Sequence, residues 1–241
     1  MLFLIPPSET KATGGGSINI TQAHLTFGGL DSTRDQVIDA YIRSSGDAGI
    51  RSAKTMPAIN RYSGTLYAAI HGRGLKGTPT ANNTLNSNEL ARARTMVLIQ
   101  SALFGAIAAT DLIPEYKLSP GKLICGINLK RVWPKPHDEF AWARLAEGPV
   151  IDLRSKAYAD LAPLPAEIDS YTVTVSVERA DGTLEQLNHF NKKAKGQLVR
   201  SALTSASEPK TIADLKKCAK KTGLKLEIHG KQISLITNEA A

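Results

Sequence analysis

The longest apolar run in the chain, MVLIQSALFGAIAA at residues 96–109, has to be buried somewhere. A membrane-spanning helix needs about 20 apolar residues. This run is shorter and carries Gln100 and Gly105. The remaining place for it is a globular interior, which a chain of 241 residues can build. The run is read as a buried helix that starts in the polar residues before it and ends near Gly105 or Ala109.

Other segments supply strands. Leu2–Ile5 is short, continuously apolar and stopped by Pro6 and Pro7, the pattern of a buried strand. PVID at 149–152 repeats the theme, with a polar exit through Arg154, Ser155 and Lys156. YTVTVSVER at 171–179 alternates with period two and returns through ADG into TLEQLNHF, a β-hairpin. LKLEIHGKQISLI closes the chain as a second hairpin with its turn at HGK, and KLICGINL at 122–129 is a further strand.

Between them lie helices. DSTRDQVIDAYIRSS at 31–45 places Val37, Ile38, Tyr41 and Ile42 on one face, with Asp31 or Ser32 as the cap. PHDEFAWARLAEG is a short amphipathic helix, and NKKAKGQLVRSALTSA at 191–206 is another helix. TIADLKKCAKKTG carries a Thr211/Asp214 capping box and stops at Gly223. Residues 72–88, rich in Gly, Asn, Thr and Pro, read as an exposed loop. The fold class is therefore mixed α/β: one compact domain over 1–241, with parallel core strands and C-terminal hairpins flanked by helices.

Net charge is +8, which favours polyanionic partners, whereas aromatics at 5% do not suggest a base-stacking surface. Cys125 and Cys218 form no CxxC pair, and the five histidines show no HxxxH or HExxH spacing. No metal site, cofactor or disulfide framework is expected. Met1–Ile5 has no basic segment before it, so it is not read as a signal peptide, and a cytoplasmic, non-membrane protein is expected. KATGGGS lacks the GK[ST] of a phosphate loop, and no GxSxG or GxGxxG occurs.

Chemistry is expected at strand exits, because ligands of α/β sheets gather beyond the carboxyl ends of parallel strands. If Leu2–Ile5 and Pro149–Asp152 lie side by side, Ser8, Glu9 and Lys11 converge with Arg154 and Ser155. Glu9 would then face Lys11 and Arg154 across one cleft, the alternative being structural ion pairs at a sheet edge. On the 191–206 helix, Lys192, Lys193, Gly196 and Arg200 fall in one arc. Gly196 is costly inside a helix, which points to bare backbone among cations holding a phosphate. Lys216, Lys217, Lys220 and Lys221 form a solvated outer face able to add nonspecific phosphate contacts.

Five segments together, LFLIPPSETK, RYSGTLYAAI, ALFGAIAATDLIPEYKL, VIDLRSKAY and NKKAKGQLVRSAL, resemble the bacterial peroxide-stress protein YaaA family in order and over residues 1 to about 203. The resemblance implies a single mixed α/β domain with a basic cleft, DNA binding and protection from peroxide. It maps the family's motif positions onto Pro7, Ser8, Glu9, Lys11, Tyr62, Gly64, Tyr67, Gly105, Asp111, Pro114, Tyr116, Arg154, Ser155, Tyr158, Lys193, Lys195 and Gly196. Two functions follow. One is binding of duplex DNA through Lys192, Lys193, Lys195, Gly196 and Arg200, largely without sequence specificity. The other is an enzyme acting on a nucleotide-like or phosphorylated small molecule, with Glu9 as acid or base and Ser8, Lys11, Tyr62, Tyr67, Asp111, Arg154, Ser155 and Tyr158 around it.

Overall fold

The first strand, β1 (Leu2–Ile5), lies inside the main sheet with a parallel neighbour on each side. Phe3, Leu4 and Ile5 are wholly buried, as expected of a strand covered on both faces. The computed structural model describes residues 1–73, 85–145, 148–179, 183–186 and 191–237. Beside β1 run β2 (Val97–Ser101) and β4 (Val150–Asp152), both parallel to it, with Phe3 level with Val97 and Ile151. β3 (Gly105–Ala108) turns back antiparallel along β2 at one edge. On the other side β5 (Ser170–Glu178) follows β4 in parallel, and β8 (Gln232–Thr237) follows β5 in parallel. β7 (Lys225–His229) closes that edge as a hairpin with β8, while β6 (Leu184–Gln186) pairs antiparallel with β5. The eight-stranded sheet therefore has parallel core strands and C-terminal hairpins, as the sequence suggested.

The apolar run is the main correction. It is not a helix. Helix α3 (Ser87–Met96) occupies the polar residues before it, started by a capping box between Asn86 and Glu89, and stops where the run begins. Val97–Ser101 is then a fully buried strand, and Gly105, at φ 66°, lets the chain reverse into β3. A central strand buried on both faces needs apolar residues at every position, so its sequence has no period-two signal to separate it from a helix. The single-strand reading of 122–129 is also corrected. Leu123–Ile124 and Ile127–Asn128 are two short strands folded against each other around Cys125 and Gly126.

The turn into β3 is held by a buried imidazole. Helix α4 (Pro134–Phe140) carries His137, whose Nδ1–H donates to Trp133 O at 2.7 Å. Its Nε2 accepts from Ala106 N–H at 3.0 Å and from the Gln100 amide at 3.2 Å. The neutral tautomer alone satisfies all three bonds. Burial lowers the His137 pKa to about 4.

Helix α1 (Asp31–Ser45) buries Val37, Ile38 and Tyr41, but no side chain caps it. Asp31 is instead paired at 2.7 Å with Arg34, a buried guanidinium that also donates to the carbonyls of Thr26, Phe27, Phe104 and Ala106. Helix α2 (Thr65–Ile70) and helix α5 (Asn191–Leu203) pack face to face. Helix α6 (Ile212–Lys221) begins with the Thr211/Asp214 capping box and leaves Lys216, Lys217, Lys220 and Lys221 exposed. Most of the 72–88 loop, from Gly74 of GRGLKG to Thr84, lies outside the described residues, as does the ADG turn from Ala180. Among the described residues no helix is long and apolar enough to cross a membrane.

Candidate functional site

Parallel β4, β1 and β2 end side by side, so their carboxyl ends open at one edge of the sheet. After β1 the chain runs through Pro6 and Pro7 into Ser8, Glu9, Thr10 and Lys11. Proline cannot continue the ladder, which is why the strand stops here and frees the following side chains. After β4 come Ser155 and the short helix Lys156–Ala159 bearing Tyr158. The two exits do converge.

They bound two adjoining hollows. One, of about 390 Å³, is lined by Pro7, Ser8, Glu9, Tyr67, Ser155, Tyr158 and Lys192, among others. The other, of about 470 Å³, shares Pro7, Ser8, Glu9 and Tyr158 and adds Lys11, Tyr116, Lys117 and Lys122. Glu9 is exposed between them; burial, with the Glu9 charge adding to it, pushes the Tyr158 phenol up to about 12. Tyr158 therefore stays protonated through the physiological range and is a donor.

The wall opposite Ser8 depends on Gly64. A Cβ there would stand 2.3 Å from Ser8 Oγ, so glycine before α2 lets Ser8 keep its place against this wall. Tyr67, on α2, donates its hydroxyl to Pro6 O at 2.8 Å and so ties the β1 exit to the helix. Lys11 pairs with Tyr62 as an isolated antiparallel bridge, which carries the exit loop across the floor.

That floor is a chain of hydroxyls. Ser101 Oγ, at the end of β2, accepts from the amides of Leu103 and Phe104 at 3.1 and 3.0 Å. Its own proton then goes to the Tyr116 hydroxyl at 2.7 Å, which meets the Tyr62 hydroxyl at 2.7 Å. All three groups are buried, and burial raises both phenol pKa values above their ordinary range. The floor is polar but uncharged. Beneath the loop, Arg61 is fully buried and holds the carbonyls of Gly14 and Lys54, each at 2.9 Å.

Several sequence-predicted residues sit elsewhere. Arg154 does not face Glu9. It turns to the other face of the sheet, where its guanidinium meets the Asp152 carboxylate at 2.8 Å and the Ala162 carbonyl at 2.8 Å. In extended backbone, residues two apart share a face, and Asp152 lies two before it. Asp111 accepts from Thr26 N, Thr26 Oγ1 and Ala108 N, and borders a separate hollow with His24 and Arg94. Burial raises its pKa, with those hydrogen bonds opposing. Tyr62 lies under Lys11 rather than in the cavity wall.

The basic helix is corrected more heavily. Gly196 is buried, and a Cβ on it would stand 2.2 Å from Leu66 O and 2.7 Å from Ala69 Cβ. Its glycine is explained by the close crossing of α2, not by an anion. Lys195 is also buried, its ammonium 3.3 Å from Leu153 O, and desolvation lowers its pKa. Arg200 donates to Ile70 O at 2.9 Å, so it caps the last turn of α2. Lys192 lines the first hollow and Lys193 is half-buried next to it. Lys117, Lys122 and Thr10 are site residues that sequence reasoning missed. They lie on irregular segments, where no period or motif marks them.

A mixed α/β protein with paired hollows at the carboxyl ends of its central parallel strands is the class these features define. A family model described as peroxide stress protein YaaA matches residues 1–228, and the chain belongs to that family. Its relatives include a UPF0246 protein of Corynebacterium efficiens, 36% identical over 253 aligned positions that cover 95% of this chain and 96% of the relative. A UPF0246 protein of Corynebacterium glutamicum is 32% identical, covering 94% and 95%. One of Streptomyces coelicolor is 31% identical, covering 94% and 92%.

Proposed function

We propose that this protein serves in the peroxide stress response by binding and acting on a small nucleotide-like or phosphorylated molecule in the paired hollows, with Glu9 as acid or base. The observation that carries the reading is the meeting of Glu9, Lys11, Tyr158, Ser155 and Lys192 around two adjoining, partly open hollows of small-molecule size, about 390 and 470 Å³. Lys192 at the start of α5, with Lys117 and Lys122 opposite, would hold the anion. Glu9 and Tyr158 would exchange protons with it, since one is a carboxylate and the other a phenol kept protonated. Thermal-shift measurement against a panel of nucleotides and sugar phosphates tests this. A ligand should raise the melting temperature, and Glu9→Gln should keep that shift while abolishing turnover. No shift from any member of the panel would sink the reading.

A second reading, largely sequence-independent binding of duplex DNA, is supported by the +8 net charge and by the exposed Lys216, Lys217, Lys220 and Lys221. It no longer has Lys195, Gly196 or Arg200 as open contacts, and leans on Lys192, Lys193 and α6. A gel shift at two salt concentrations checks it, each neutralised phosphate adding about −0.9 to the salt slope. Binding unchanged after alanine replaces Lys192 and Lys193 would remove α5 from the interface.

A further inference from the structure

Lys11 is a half-buried lysine with no carboxylate in direct ion-pair contact among the described residues. Its Nζ lies 4.3 Å from the centre of the Tyr116 ring and 5.5 Å from that of Tyr62. Its hydrogen bonds go to backbone carbonyls, Ser8 O at 3.1 Å and Glu9 O at 3.4 Å. Among the described residues no carboxylate oxygen stands within 4.0 Å of it. A half-buried structural lysine ordinarily has an acid beside it, and a solvated one points outward. Lys11 does neither. Its amine opens onto the larger hollow together with Glu9, Tyr158, Lys117 and Lys122.

The titratable groups around it are Glu9 on its own loop, Glu115, Tyr116 and Lys117 on the facing segment, and Arg61 and Tyr62 beneath. Desolvation outweighs the pull of Glu115 and Glu9, Arg61 adds to it, and the pKa falls to about 8. At pH 7 on the order of a tenth of the protein then carries the free amine, the form that attacks carbonyl carbon.

We infer that Lys11 forms an imine with an aldehyde or ketone that bears a phosphate. The Nζ lone pair makes the new C–N bond while the carbonyl π pair moves to oxygen. That oxygen takes a proton from Tyr158 and the nitrogen gives one up to the Glu9 carboxylate, leaving a carbinolamine. The hydroxyl then takes a second proton and departs as water while the nitrogen lone pair forms the C=N bond, and the nitrogen gives up its remaining proton to replace the one used. The sum is amine plus carbonyl to imine plus water, with no oxidant or reductant. Lys117 and Lys122 supply the charge opposite the phosphate. This rests on the reading that the hollows take phosphorylated small molecules.

The test uses the wild-type protein with glycolaldehyde phosphate or with glycolaldehyde at pH 8, reduced by borohydride and mapped by peptide mass spectrometry. The readout is the initial trapping rate at Lys11 relative to exposed Lys216 and Lys217. The expected result is trapping at Lys11 roughly tenfold faster or more, as its larger free-amine fraction requires, with the phosphorylated aldehyde favoured. Trapping at Lys11 no faster than at Lys216 overturns the inference. Fast trapping by both aldehydes alike keeps Lys11 as the nucleophile and removes the phosphate reading. Lys11→Arg should erase the fast-labelled peptide. The rate comparison within the wild type stands whether or not that variant folds.

Discussion

Acidification from pH 7 to 4 should destabilise this protein in part through His137. In the folded state its Nε2 accepts from Ala106 N–H and the Gln100 amide, and its Nδ1–H is spent on Trp133 O. A second ring proton would therefore point at two donors. The Gln100 amide can turn, since its Oε1 has no partner, but the Ala106 amide cannot. The folded pKa is about 4 against an ordinary value of 6.5. A lowered histidine pKa means that the unfolded chain takes the proton first. The stabilisation is whole above pH 6.5, drains away as pH falls towards 4, and changes no further once both states are protonated. At 1.36 kcal/mol per pH unit the loss is about 3 kcal/mol, or roughly 6–12 °C in melting temperature for a chain of this size. Carboxylates titrate over the same range, so the measurement is a difference. Denaturant melts of wild type and His137→Gln are compared from pH 7.5 to 4. The variant should be less stable at neutral pH and should lose about 3 kcal/mol less on acidification. Parallel pH profiles for the two proteins would refute the reasoning.

Gly196→Ala should cost at least about 2 kcal/mol in a denaturant melt, because backbone at Leu66 O rather than a movable side chain blocks the new Cβ. Retained stability would reopen the helix face to an anion role. Gly64→Ala meets the rotatable Ser8 Oγ instead, so it should cost no more than about 1 kcal/mol. It should nevertheless abolish ligand-induced thermal shifts by displacing Ser8 from the hollow. Lys195→Met should change stability by no more than about 1 kcal/mol, since a desolvated ammonium with one 3.3 Å bond offsets little of its own burial. DNA retention in a gel shift should also be unaffected, and weakened binding would show that Lys195 reaches solvent.

The convergence of the candidate site's strand exits is legible in the sequence because both carry the same pattern, apolar residues cut off and polar ones released. β1 and β4 proved to be parallel neighbours, which placed Ser8, Glu9, Lys11 and Ser155 together. What pattern could not give was direction. Arg154 left the cleft because Asp152 two residues earlier holds it, a pairing that alternation along an extended chain predicts in hindsight. Gly196 was correctly marked as needing a reason, but tertiary crossing with α2 supplied it, and no single-helix argument contains the other helix. The 96–109 run misled because a central strand erases its own period. Gly105 was the remaining clue, a residue tolerated poorly in helix interiors and well suited to φ 66° in a reversal.

β5 has one long neighbour on one side and two short ones on the other. β8 spans Thr172–Val177, while β4 reaches only Thr172 and β6 holds Ser176–Glu178. If the chain after Asp152 kept its register instead of peeling away towards Ser155 and Tyr158, Lys156 would arrive at Ser176, a place Gln186 occupies. Lengthening the segment that leads into the pocket would thus evict the hairpin, and tightening the hairpin would keep that segment short. The rim of the cavity and β6 compete for one row of backbone amides, so insertions at either place should be accompanied by deletions at the other.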